Sequence, residues 1–454
     1  MKNFYQTPGI LLLTAFFTFF QSELMGQPIT VCASGCAHET IQAAIDAADE
    51  LDIIEVGPGT YEETIDLNVE GITLHSENGA SETTIKGTGS AASAATVRIT
   101  ADNVTIDGFT IDNENAEAGC ISGGNDAADA VIKNNVLINS ARGVRGDFYG
   151  RFGTGLEIEN NVFDGVTRGV TNSENWGSVT VTNNEFLNIG ANAISFGSGI
   201  TQVDFTGNEF ENVAGRHVAN YEVTSDFDLS NVLSENTFDK GAATEDVSTS
   251  IVEAVYSTIS QAIDEAETGG TIEVLPGTYE ENVNINKPLT LTGSNVGNDC
   301  SSRADESTIS PSSGAPIVIS SDNVTVNGFE INAPNHGFAI ELSNTSDVSV
   351  LYNKVQNIGT DSGFGGPPGN TNTVHSIRYQ LDGGTYSNID ISNNCISNIS
   401  HIGNTFNSAS GIGILQSTSQ GTLSNLNIEN NTIEEVISNT GDWGDGGRIA
   451  YSFL

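Results

Sequence analysis

Only 15 basic residues stand against 58 acidic ones in this chain of 454, a net charge of −43, so the placing of each cation is informative. Arg142, Arg168, Asn192 and Arg216 follow one another at intervals of 26, 24 and 24 residues. Arg145, Arg151 and His217 lie beside them in sequence. Guanidinium groups in a row can grip successive carboxylates. One of them, set beside an acidic carbon, can also act as a base. Arg142, Arg168 and Arg216 are therefore the candidate catalytic residues, and with Arg145, Asn192 and His217 they form a candidate anion-binding stripe. A second group, His375, Arg378 and Tyr379, with Asp382, borders the Gly/Pro-rich span from Gly363 to Gly369 in an insertion running from Gly359 to Ser387. Another long insertion runs from Ser400 to Gly411. A plainer reading competes with the stripe: the register before a Gly-Val step prefers a polar residue, and Glu174 and Asp147 balance the arginine charge.

Other chemistries find weaker support. Asp126 with Asp129, Asp226 with Asp228, and Asp442 with Asp445 are the nearest carboxylate pairs, and all read as solvated loop charge. Trp176 and Trp443 are too few to argue a sugar-stacking platform. Cys32 and Cys36 can close a small disulfide loop, while Cys120, Cys300 and Cys395 read as small apolar core residues. No second Cys/His pair stands at zinc spacing, so no metal site is expected from the sequence. The strong negative charge would repel a phosphate backbone, which excludes nucleic acid as a partner.

The elements that position these residues come from two repeats. Thr40-Ile-Gln-Ala-Ala-Ile-Asp-Ala-Ala and Ile54-Glu-Val-Gly-Pro-Gly-Thr-Tyr-Glu-Glu63 return as Thr258-Ile-Ser-Gln-Ala-Ile-Asp-Glu-Ala and Ile272-Glu-Val-Leu-Pro-Gly-Thr-Tyr-Glu-Glu281. Two homologous units in tandem are expected, 27–245 and 246–454. Each opens with a short amphipathic helix: Ile41, Ala44, Ile45 and Ala48, then Ile259, Ala262, Ile263 and Ala266, keep helical spacing. Within the units a finer period appears. Short alternating runs end in Asn135, Asn161, Asn184 and Asn208, at spacings of 26, 23 and 24, and in Asn353, Asn394 and Asn431. A strand followed by a fixed Asn every circuit predicts a β-solenoid. Apolar residues fill its core, and the Asn side chains adopt the left-handed conformation at the turn and bond to their own kind in the next coil.

These motifs resemble the right-handed parallel β-helices of the pectin lyase-like superfamily, over nearly all of the chain after the leader. The resemblance implies an all-β solenoid, with each unit's helix covering its first coil. It leaves activity open, because that superfamily holds lyases, hydrolases, esterases and non-catalytic surface proteins. Gly59-Thr-Tyr61-Glu-Glu63 and Gly277-Thr-Tyr279-Glu-Glu281 match a block of pectin methylesterases that lies far from their chemistry, and the esterase and polygalacturonase catalytic motifs have no counterpart here. Two functions are carried forward. One is a non-catalytic glycan-binding, adhesive or structural module; the other is a lyase on uronate-containing glycans, for which calcium is the implied cation.

Lys2 and the apolar run Ile10 to Phe20 read as a signal peptide over 1–26, so a secreted or cell-surface location is expected, with no later membrane span. At the other end Ile340, Ile377, Ile412 and Ile449 recur at 37, 35 and 37. Gly447 to Leu454 thus reads as the start of another circuit. A further domain, or a partner capping the solenoid end, is the corresponding expectation.

Overall fold

In the computed structural model, the described residues are 27–89, 95–114, 119–146, 151–172, 177–197, 199–221, 227–245, 247, 251–359, 373–403, 408–416 and 421–440. Residues 1–26, Asp147, Glu174, both Trp, Asp226, Asp442, Asp445, Gly363 to Gly369 and Gly447 to Leu454 lie outside them. Three short strands make each circuit of a right-handed parallel β-helix. The first unit has an eight-stranded sheet from Ile29–Val31 to Ile200–Thr206, and another from Gly59–Glu62 to Thr237–Phe238. Its third face begins at Ile65–Leu67 and reaches Arg216–Asn220. From there the sheet continues into the second unit, giving 15 strands ending at Gly421–Glu429. The second unit also has six- and five-stranded sheets of its own.

The junction departs from the parallel rule. Glu253–Tyr256 pairs antiparallel with Arg216–Asn220 on one side and with Ala242–Thr244 on the other. Ala242–Thr244 in turn pairs antiparallel with Thr271–Val274, the opening strand of the second unit's circuits. The third face of the first unit therefore merges with the first face of the second.

In-register columns of apolar side chains build the core. Ile54, Leu74, Ile106, Ile132, Ile158 and Val181 sit one above another, each fully buried. Burying such a side chain is worth about 1.5–3 kcal/mol. A second column is aromatic: Phe163, Phe186, Phe210 and Phe238 stack with centroids 4.7, 5.0 and 4.9 Å apart. Gly143 and Gly169 make room for it, since a Cβ on either would come within 2.4 and 2.8 Å of Phe163 and Phe186 ring atoms.

The turn between the first two faces holds the asparagines. Asn135 Nδ2 donates to Asn161 Oδ1 at 3.1 Å, Asn161 to Asn184 at 3.0 Å, and Asn184 to Asn208 at 3.0 Å. Asn208 donates to Asn236 at 2.9 Å, and in the second unit Asn353 to Asn394 at 3.2 Å and Asn394 to Asn431 at 2.9 Å. Each Oδ1 also accepts the backbone N–H of the preceding rung, as Asn184 does from Asn161. The rungs themselves are not left-handed. That conformation belongs to the residue before each: Asn134, Asn160, Asn183, Gly207, Tyr352, Asn393 and Asn430, with φ between 52° and 68°. The backbone turn and the buried bond are thus divided between neighbours.

Two helices open the units, α1 (Ile41–Ala47) and, after α2 (Leu229–Glu235), α3 (Ile259–Glu265). Thr40 and Thr258 are their N-caps. The Glu63 carboxylate accepts the N–H groups of Ile41 and Gln42 at 2.8 and 3.0 Å, and Glu281 those of Ile259 and Ser260 at 2.7 and 2.9 Å. The Tyr before it buries its ring and donates its hydroxyl to a backbone carbonyl, Tyr61 to Gly57 and Tyr279 to Leu275, both at 2.9 Å. The Pro-Gly-Thr-Tyr-Glu-Glu block therefore clamps each opening helix to its first circuit.

Cys32 and Cys36 are joined, as expected. Cys300 and Cys395 are also joined, across 95 residues, which corrects the reading of both as core residues. Cys120 is buried and free.

Replacing Asn184 by Ala leaves buried donors of Asn161 without their acceptor, and chemical denaturation should register a loss of about 3–5 kcal/mol. Asn183→Gly should change stability by less than about 0.5 kcal/mol, since Gly207 already fills the equivalent place one circuit later.

Candidate functional site

The arginines gather on the third face of the first unit. Arg142 and Arg168 are register partners on adjacent strands, Arg142–Gly146 and Arg168–Asn172. Three residues on, a second in-register column runs Asp66, Arg98, Ser122, Arg145 and Thr171. Arg98 was not among the residues picked out from the sequence, because its circuit differs in length and it falls in the other column. Arg151 stands beside the end of Gly119–Gly123, its backbone so close that a Cβ on Gly123 would clash. Five of the 15 basic residues thus lie within four consecutive circuits. Arg98 and Arg151 keep 48% and 43% of their side-chain surface exposed, with Asp66 at 3.9 Å and Asp126 at 3.2 Å as ion-pair partners. Such exposed pairs are weak and exchangeable. Arg142 and Arg168 are half-buried, whereas Arg145 is 3% exposed and is out of reach of a ligand in solvent.

The stripe ends at Arg168. Asn192 uses its Oδ1 to accept the Arg216 backbone N–H at 3.2 Å. The Arg216 guanidinium bonds Glu265 of α3 and lies 5.5 Å from the Tyr256 ring, so it fastens the junction rather than a ligand. Burial pushes the Tyr256 phenol up to about 12. His217 is fully buried, edge-on to Phe210 and Phe238 at 5.7 and 5.4 Å. In these circuits the residue after the arginine turns into the core, where Gly143 and Gly169 stand in earlier ones.

The second group is also turned inward. Tyr379 is fully buried and donates its hydroxyl to Thr345 O at 2.6 Å, with burial raising its pKa. Arg378 lies 3.9 Å over the Phe338 ring and pairs with Glu341. His375 is 7% exposed, its Nδ1 2.6 Å from Ser410 Oγ. Burial holds both His217 and His375 down at about 4, with Arg378 adding to the effect at His375. None of these four side chains is positioned to meet a solvent-borne ligand. Among the described residues, no three His, Cys, Asp or Glu side chains gather as a metal site, and no helix is long and apolar enough to cross a membrane.

The architecture defines the chain as a parallel β-helix protein. No family model matches the sequence, and no curated protein does. Among solved structures, a pectin methylesterase in complex with a hexasaccharide is 13% identical, covering 46% of this chain and 76% of that one, TM-score 0.32. The catalytic unit of a GH87 α-1,3-glucanase from Streptomyces thermodiastaticus is 15% identical over 93% of this chain and 72% of that one, TM-score 0.31. A carrot pectin methylesterase is 10% identical over 88% and 90%, TM-score 0.23. Likeness of this degree carries no argument about chemistry, and the fold assignment stands on the sheets themselves.

The histidines give the protein an acid limit. Each is held near 4 in the folded state against an ordinary 6.5, so between these values the unfolded chain binds more protons. Their stabilising contribution is complete above pH 6.5 and declines as pH falls toward 4. At pH 5 the loss is about 2 kcal/mol for each. Thermal melts at pH 7.5 and 5 should show a smaller acid-induced drop in His217→Phe than in the unaltered chain.

Proposed function

We propose that the protein binds acidic polysaccharide along the third face of its first unit, as a secreted, non-catalytic parallel β-helix. The observation that carries this reading is the gathering of Arg98, Arg142, Arg145, Arg151 and Arg168 on one face of a body whose net charge is −43. Strands in neighbouring circuits lie about 4.8 Å apart. Arg142 and Arg168 are therefore one circuit apart, and Arg98 and Arg145 two, at about 10 Å. A polymer bearing carboxylates along its length, laid across the strands, meets Arg98 and then, two and three circuits on, the half-buried Arg142 and Arg168. The acidic remainder of the surface repels the same polymer and so confines it to this face.

A lyase is the second reading, favoured by the adjacency of Arg142 and Arg168. One guanidinium would neutralise the uronate carboxylate while the other arginine, in its neutral guanidine form, takes the proton from C5; the C4–O bond breaks, leaving a C4=C5 double bond, and the departing sugar oxygen takes up a proton. Calcium, where bound, would add to the neutralisation of the carboxylate.

Titration calorimetry with polygalacturonate and with alginate tests the first reading. Arg168→Ala should weaken binding about tenfold, the loss of roughly one charge-assisted contact, and added salt should weaken binding by the unaltered chain. Equal affinity for the two proteins would remove the proposal. Incubation with the same polymers, with and without calcium, separates the readings: absorbance of an unsaturated product establishes the lyase, and its absence supports binding alone.

A further inference from the structure

The cations of the third face stop at Arg168, and the next place in register belongs to a neutral amide. Val170 pairs with Ile194 and Ile194 with Val218, so Arg168, Asn192 and Arg216 stand in one column, one circuit apart. Adjacent strands are about 4.8 Å from each other. A small group placed between Arg168 and Asn192 is therefore within hydrogen-bond reach of both.

Both side chains carry donors that the chain itself leaves unused. With 58 acidic residues for 15 basic ones, most arginines nearby have a carboxylate: Arg98 pairs with Asp66 and Arg151 with Asp126, while Arg216 bonds Glu265. Among the described residues, the half-buried Arg168 guanidinium has neither an ion-pair nor a hydrogen-bond partner. Asn192, also half-buried, uses only its oxygen. Its Oδ1 accepts the Arg216 backbone N–H at 3.2 Å, and among the described residues its Nδ2 has no acceptor. The same bond fixes which way the amide is turned, since a flipped amide would set its NH2 against the Arg216 N–H, donor against donor. The Arg216 main chain is itself held at the junction with the second unit, by antiparallel pairing with Tyr256 and by the bond from its side chain to Glu265 of α3.

Resting on the functional reading above, we infer that Arg168 and Asn192 together hold one carboxylate of the bound glycan. Arg168 supplies the charge and Asn192 Nδ2 a neutral second donor, so a carboxylate that leaves water is met by hydrogen bonds from two successive circuits. Asn192 is a binding residue whose amide the junction orients.

Calorimetry on the full chain tests this, using whichever of polygalacturonate and alginate the unaltered chain binds more tightly, at several salt concentrations, with Asn192→Ala beside Arg168→Ala. N192A should bind about fivefold more weakly, with the salt dependence of the unaltered chain, because it loses a neutral donor and no charge. R168A should show a shallower salt dependence. If a thermal melt shows N192A to be unfolded, N192D keeps the acceptor for Arg216 and puts an anion in place of the donor, and its affinity should fall about tenfold or more. A folded N192A that binds within about twofold of the unaltered chain, or a folded N192D that binds as tightly as it, overturns the inference and leaves the functional reading standing. So does an N192A whose salt dependence is as shallow as that of R168A, because the substitution then acts through the charge of Arg168. An unaltered chain that binds neither polygalacturonate nor alginate overturns both.

Discussion

Every circuit of this solenoid must turn a corner whose backbone is buried, and the corner has to be bonded to the circuit above and below. The asparagine rungs meet that requirement. A single side chain accepts from the preceding rung's backbone and amide, and donates to the following rung and to a strand carbonyl, as Asn184 does with Asn161, Asn208 and Ile158. A rung lost from the middle leaves unpaired groups on its neighbours, which costs more than the missing bond. The regular stack then holds each outward residue in register with its counterparts, and this is what brings arginines from distant parts of the sequence side by side.

Periodicity made the rungs legible from the sequence, because Asn at the end of an alternating run recurs at nearly constant intervals. The division of labour within each Asn-Asn pair was not legible, since either residue tolerates the left-handed region. Arg98 was missed for a related reason: circuits vary in length, so equal spacing in sequence finds only part of a column. Arg216, His217, Arg378 and Tyr379 were misplaced as ligand-facing for another. Gly143 and Val144 both face the core, a break in simple alternation, so the side on which a following residue emerges cannot be read from its parity. The bond between Cys300 and Cys395 had no local signal at all, as it joins a loop to a strand 95 residues later.

The cations of the described residues differ in how closely they are paired. Several have carboxylates close by: Lys86 with Glu114 at 2.8 Å, Lys354 with Glu330 at 2.9 Å, Arg303 with Glu306 at 2.8 Å. Arg303 is almost fully buried and also donates to the carbonyls of Tyr352 and Phe329, so it fastens the loop carrying Cys300 to the corner. Arg98 and Lys133 are paired more loosely, each with its carboxylate at 3.9 Å, and Arg98 and its Asp66 are both largely exposed.

The junction has a consequence for how the molecule is made. Ala242–Thr244 precedes Glu253–Tyr256 in the chain, yet Glu253–Tyr256 lies between it and the first unit. During N-to-C synthesis the edge of Arg216–Asn220 is exposed first, and the strand that emerges next is not the one that belongs there. The first unit therefore closes correctly only after some 40 further residues have left the ribosome, when the later strand can insert and reverse direction. This short antiparallel interlude orders the assembly in time: the second rod starts growing from a seam that only a completed first rod can provide.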